Sequence, residues 1–134
     1  MFGRGRREGR DRVRIALLLL FGAAGTLARY GLQGAVQRWW GPAFPGGTLA
    51  VNLLGSFLVG AVGEYSLTHL TVSPEWRIAA TIGFLGAFTT FSTLSWETAY
   101  MLREGDWLRA LLYVGASVLG GLLAAMLGMR LGRI

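Results

Sequence analysis

At 134 residues, 53% hydrophobic but only 15% charged, the chain reads as one domain, and not a soluble one. It has no cysteine, which removes disulfide frames and thiolate metal sites. Its single histidine, His69, has no cluster of His, Cys or carboxylates around it, so an enzyme is excluded for want of role-bearing groups. The net charge of +6 is no nucleic-acid signature: all thirteen basic residues are arginines, and Arg4, Arg6, Arg7, Arg10, Arg12 and Arg14 precede the first apolar run.

Charge-free runs cover Ile15–Ala28, Gly46–Gly63, Ile78–Trp96 and Ala110–Met129. A spanning helix needs about 20 mostly apolar residues. The last two runs reach that length alone; the second does so by extending past Glu64 to Leu70, the first by extending through Arg29 to Val36. The expectation is an all-α membrane protein: a basic tail over 1–14, then a domain over 15–134 with four transmembrane helices at about 15–36, 46–70, 78–102 and 108–130. Short connections fall near Gln37–Pro45, Thr71–Arg77 and Arg103–Trp107.

The basic flank before Ile15 holds an amino terminus on the cytoplasmic side. A secretory signal also fits a basic segment followed by Ile15–Ala24 and small residues. Within the first helix, Arg29 lies about 21 Å beyond Ile15 at 1.5 Å per residue, toward the far interface. Snorkelling or anchoring accounts for it, and so does a vestibule charge that concentrates anions.

On the second helix Thr48, Asn52, Ser56 and Gly60 recur every fourth residue as a small or polar stripe. Close packing explains Ser56 and Gly60. Asn52 is different, because a primary amide deep in a membrane helix must satisfy two donors and a carbonyl, and its N–H groups suit an anion.

The third helix crowds Gly83 and Gly86 among Thr81, Thr89, Thr90, Ser92, Thr93 and Ser95, with Phe84, Phe88 and Phe91 between them. Glycines and β-branched threonines weaken a helix, and a mid-membrane break frees carbonyls for which a bound cation is one known solution. Neutral donors and phenylalanine ring edges would hold a small anion weakly enough to release it. Glu97 follows near the end, opposing the helix dipole and needing a partner. The fourth helix carries two small-residue rows, Ala116, Gly120, Ala124, Gly128 and Ser117, Gly121, Ala125, which read as packing. Tyr113 and Ser117 share a face, as packing groups or as a ladder of hydroxyls.

Both termini share a side with the second connection, and that side holds nine arginines against three opposite (Arg38, Arg103 and Arg109). This asymmetry predicts both termini inside.

Three motifs in order, Gly22-Ala-Ala-Gly-Thr-Leu-Ala-Arg-Tyr30, Gly47-Thr-Leu-Ala-Val-Asn-Leu-Leu-Gly-Ser-Phe57 and Gly83-Phe-Leu-Gly-Ala-Phe-Thr-Thr-Phe-Ser-Thr93, resemble the Fluc (CrcB-like) fluoride channels. The resemblance runs from about Ile15 to Met129. It implies a multi-pass cell-membrane protein that exports fluoride passively, built as an antiparallel, dual-topology dimer enclosing two pores. By that resemblance Asn52 is the pore asparagine and Phe91 the first of two pore phenylalanines, with Ser92 and Thr93 the hydroxyls beside the break. Tyr113 and Ser117 fall on a polar track, Arg29 matches the first-helix arginine, and Glu97 a carboxylate ending the pore helix. Gly86 and Thr89 match the break whose backbone carbonyls, from both chains, hold a structural sodium ion at the dimer centre.

Two departures stand out. Leu94 occupies the position of the second pore phenylalanine, and Gly121 that of a further track hydroxyl. Set beside the arginine asymmetry, they leave a homodimer and a pairing with a paralogous chain both open. A small proton-coupled exporter is the rival transporter, but it needs an intramembrane acid, and the first helix has none while Glu64 and Glu97 lie toward helix ends. A non-transporting scaffold explains the small-residue stripes but leaves Asn52 and the Phe91–Ser95 cluster without a role.

Overall fold

The computed structural model describes residues 4–69 and 72–134. They are all-helical, with four stretches long and apolar enough to cross a membrane. The first is α1 (Arg4–Trp40) and the second α2 (Gly46–Thr68). The third span is segmented into α3 (Pro74–Ile78), a π-helical stretch (Ala79–Leu85), α4 (Gly86–Phe88) and α5 (Phe91–Arg103); the fourth is α6 (Trp107–Gly132).

α1 is longer than the apolar run implied, because arginines are good helix formers and nothing between Arg4 and Trp40 breaks the ladder. The basic segment is therefore the first turns of the helix and not a separate tail. The helix ends at Gly41, whose φ of 84° is left-handed and whose amide caps the Gln37 carbonyl at 2.9 Å; Pro42 follows. Gln37 then organises the turn: Nε2 donates to the carbonyls of Gly41 and Phe44, and Oε1 accepts from the amide of Gly47. At the other end of α2, Leu70, the last position of the expected helix, lies outside the described residues, as do Thr71 of the following connection and residues 1–3 of the basic segment.

The third span starts at Pro74, a helix-compatible first residue, four positions before the expected start. Gly105, at φ 82°, closes the turn after α5, and the Asp106 carboxylate caps α6 by accepting from the Arg109 amide at 3.3 Å.

α2 and α6 form the most extensive interface. Small residues set their separation: a Cβ on Gly60 would strike the Ala125 carbonyl, one on Gly128 the Phe57 carbonyl, and one on Gly132 the Ala61 carbonyl. The packing role read for Gly60 and for the small rows of α6 is what these contacts show. α1 lies against the π-helical stretch through Gly25, whose α-carbon faces the Phe84 backbone. Outward faces are leucine-rich, as lipid contact requires: Leu19, Leu27, Leu111 and Leu119 are all exposed.

Candidate functional site

The third span breaks at Thr89 and Thr90, both extended (ψ 160° and 113°). α4 ends with the Thr89 amide and hydroxyl both donating to the Leu85 carbonyl at 3.0 Å. The next amide, that of Thr90, would close a further turn onto Gly86; it donates instead to Asn52 Oδ1 at 2.8 Å. Asn52 Nδ2 donates back to the Thr90 carbonyl at 2.9 Å. α5 restarts under its own cap, since Thr90 Oγ1 accepts from the Thr93 amide at 3.2 Å and lies 2.9 Å from Thr93 Oγ1 and 3.4 Å from Ser92 Oγ.

Beside this break lies an open groove of about 370 Å³ lined by Asn52, Ser56, Thr89, Thr90, Phe91 and Leu94, with α6 supplying Ser117, Val118 and Ala125. No ionisable side chain lines it. Asn52 has spent one of its two N–H groups on Thr90, so the second is uncommitted. Ser117 is 8% exposed and its Oγ is buried without any hydrogen-bond partner in the protein. An unpartnered hydroxyl in a membrane helix is costly unless something in the groove bonds to it. Phe91 stands on the rim at 79% exposure, whereas Leu94 is 8% exposed and packs into a core with Met101, Ala110 and Tyr113.

One turn along α6 from Ser117, a second polar cluster converges on Glu97. Tyr113, fully buried, donates its hydroxyl to Glu97 Oε2 at 2.6 Å, and Thr48 donates to Oε1 at 2.9 Å. Gln33 Nε2 donates to Thr48 Oγ1 at 3.1 Å, so α1, α2, α5 and α6 are tied to one carboxylate. These are the partners that the position of Glu97 demanded. In the other direction along α6, a Cβ on Gly121 would sit 3.3 Å from Ser56 Oγ. The hydroxyl absent at 121 is thus faced by one from α2.

Arg29 reaches inward to the break, its Nη1 lying 3.5 Å from the Thr89 carbonyl. The carbonyls of Gly86 and Thr89 fit a hard cation in kind: the amide due to Gly86 is diverted to Asn52, and Gly86 is exposed with no side chain to cover it. Two oxygens are too few to enclose an ion, and Arg29 competes for one of them. Among the described residues no group of three His, Cys, Asp or Glu side chains is placed to bind a metal.

The expected residues therefore fall into three places: Asn52, Phe91 and Ser117 line the groove, Glu97 and Tyr113 lie in the carboxylate cluster, and Arg29, Gly86 and Thr89 lie at the break, with Ser92 and Thr93 at the Thr90 cap where α5 restarts. Thr90 and Gln33 were missed. Thr90 had its place in the hydroxyl cluster as a signal; Gln33, a neutral amide near the end of the apolar run, had only its polarity.

A family model described as CrcB-like protein, Camphor Resistance (CrcB), matches residues 16–129. The chain belongs to the CrcB-like family. Among its relatives in this family is a protein of Geobacter metallireducens named fluoride-specific ion channel FluC, 48% identical over 89% of this chain and 96% of its own length. A protein of the same name from Magnetococcus marinus is 48% identical over 91% of this chain and 99% of its own. Another from Geobacter sulfurreducens is 51% identical over 78% and 84% respectively. The CrcB-like match takes in every element that forms the groove and the carboxylate cluster.

Proposed function

We propose that this chain forms a fluoride-selective channel of the cell membrane that passes the ion passively outward and lowers its cytoplasmic concentration. It is a multi-pass transport protein and not an enzyme. The observation that carries this reading is the 48% identity, over nearly their whole length, to relatives named fluoride-specific ion channels. The groove supplies the physical account. Fluoride must exchange water for donors, and the groove offers the free N–H of Asn52, the unpartnered Ser117 hydroxyl and the Phe91 ring edge, with no fixed positive charge to trap the ion. Ser92 and Thr93 stand beside that path. Tyr113 and Glu97 mark its continuation along α6, and Arg29 contributes positive potential near the break.

An antiparallel dimer completes the arrangement. The groove is open on one side, and Phe91, Ser92, Ser95 and Trp96 are exposed beside it as a face for a second chain. With two chains, the carbonyls of Gly86 and Thr89 would supply four oxygens to a structural sodium ion, which would neutralise the broken helix ends. Release of fluoride, against chloride, from loaded liposomes tests the function: strong preference for fluoride is expected, and equal release of both ions would remove the selective channel.

A second reading, in which this chain pairs with an oppositely oriented paralogue, is favoured by the nine-to-three arginine asymmetry. Labelling of a single cysteine near Ile134 from each side of the membrane separates the two. Labelling from one side only supports the heterodimer; equal labelling supports the homodimer.

A further inference from the structure

Away from the groove, at the end of the apolar band where α1 meets α3, four ionisable side chains line a pocket of about 170 Å³: Arg10, Asp11, Arg14 and Glu75. Arg14 is the last charged residue before the apolar run of α1, and Glu75 lies in the first turn of the third span. The pocket therefore sits at the level where lipid headgroups meet the protein.

Its charges do not satisfy one another. The ion pairs among the described residues are Arg103–Glu104, Arg109–Asp106 and Arg133–Glu64, and none joins two of these four side chains. Arg14 Nε is buried without any hydrogen-bond partner. Arg10 and Arg14 are also four apart on one helix face, a like-charge arrangement that destabilises a helix unless an anion lies between the two. Two guanidinium groups without a direct ion-pair partner, at a headgroup interface, fit a phosphate, which arginine binds through its fork of donors. Two carboxylates in the same pocket argue against a ligand that is only anionic, since they would repel it. They suit a cation attached to that phosphate.

We infer that this pocket binds the headgroup of a zwitterionic phospholipid with a primary ammonium, of the phosphoethanolamine type. Arg10 and Arg14 take the phosphodiester, and Asp11 and Glu75 accept from the ammonium. The cavity is several times the roughly 30 Å³ share of one water molecule, enough for a headgroup reaching in from the bilayer edge. The ammonium must carry N–H donors: a trimethylated choline head offers the same charge with no hydrogen to donate. A glycerol head offers the phosphate alone.

The test is lipid retention by the full-length protein in native mass spectrometry, after exchange into equal mixtures of phosphatidylethanolamine, phosphatidylcholine and phosphatidylglycerol. The wild-type protein should keep phosphatidylethanolamine about tenfold over either competitor, the ratio expected from one charge-assisted hydrogen bond. Glu75→Gln should bring phosphatidylethanolamine down toward phosphatidylcholine, and Arg14→Gln should weaken both. Retention led by phosphatidylglycerol, or no headgroup preference in the wild type, would overturn the assignment; so would an unchanged preference in Glu75→Gln. The wild-type comparison decides even if a substitution impairs folding. Adding free phosphoethanolamine separates headgroup from chain recognition: displacement of the retained lipid is expected, and its failure at high excess would show that the acyl chains select.

Discussion

The carboxamide of Asn52 and the main chain of Thr90 exchange two hydrogen bonds, at 2.8 and 2.9 Å, across 38 residues of sequence. This exchange helps a membrane helix stop and restart: it gives the Thr90 amide the acceptor that the break takes away and ties the Thr90 carbonyl to α2. The asparagine that lines the groove therefore also shapes it.

Asn52→Asp keeps the acceptor for the Thr90 amide but sets a second oxygen against the Thr90 carbonyl. Loss of that hydrogen bond, with an uncompensated charge beside it, should cost about 1–3 kcal/mol. The thermal midpoint in detergent should fall, and fluoride flux from the folded fraction should vanish by repulsion. A variant with normal flux would take Asn52 out of the path.

Tyr113→Phe removes one of the two hydroxyls that converge on Glu97 and leaves Oε2 without a donor. A loss of stability of about 1–3 kcal/mol is expected, by denaturant titration in detergent. Tyr113→Phe combined with Glu97→Gln should lose less than the sum of the two single variants, because they share one interaction. Additive losses would mean that the contact carries no energy.

Phe91 and Leu94 should respond oppositely to substitution. Phe91 is exposed on the rim of the single chain, so Phe91→Ile should leave the fold of that chain intact and cut flux severely. Leu94 is packed against Tyr113 and Met101, so Leu94→Phe adds volume to a filled core and should destabilise by about 1–3 kcal/mol. A Leu94→Phe protein of full stability and raised flux would show that the position opens to the groove more than it packs.

Gly128→Val places a branched side chain against the Phe57 carbonyl and should force α2 and α6 apart. Folded protein recovered by size exclusion should drop to a small fraction of the wild type, whereas Gly63→Val, with nothing near its α-carbon, should be recovered normally. Equal recovery would contradict the close approach.

The four spans were legible because hydropathy in a membrane protein follows directly from burial in lipid, and the break was legible because glycine and threonine together weaken a helix where lipid tolerates no loose carbonyl. Helix ends were less so. The first helix runs through its arginines to Gly41, since charge moves a helix out of the bilayer without unwinding it. The π-helical stretch over Ala79–Leu85 left no signal, because its side chains are ordinary and only the path of the backbone differs. The amide of Asn52 points to a donor for an anion, but its grip on Thr90 is a tertiary contact that no local pattern reveals. The partners of Glu97 were hidden for the same reason: Gln33, Thr48 and Tyr113 come from three other helices and meet only on folding.

The central claim is passive fluoride conduction without proton coupling, and a fluoride-electrode recording on liposomes containing this chain alone tests it most directly. With internal and external pH held equal and potassium made permeant by an ionophore, fluoride should leave down its gradient at once. Its rate should not change when a proton gradient of either sign is imposed. Flux seen only when a proton gradient is present would contradict the account and return the protein to the class of coupled exporters.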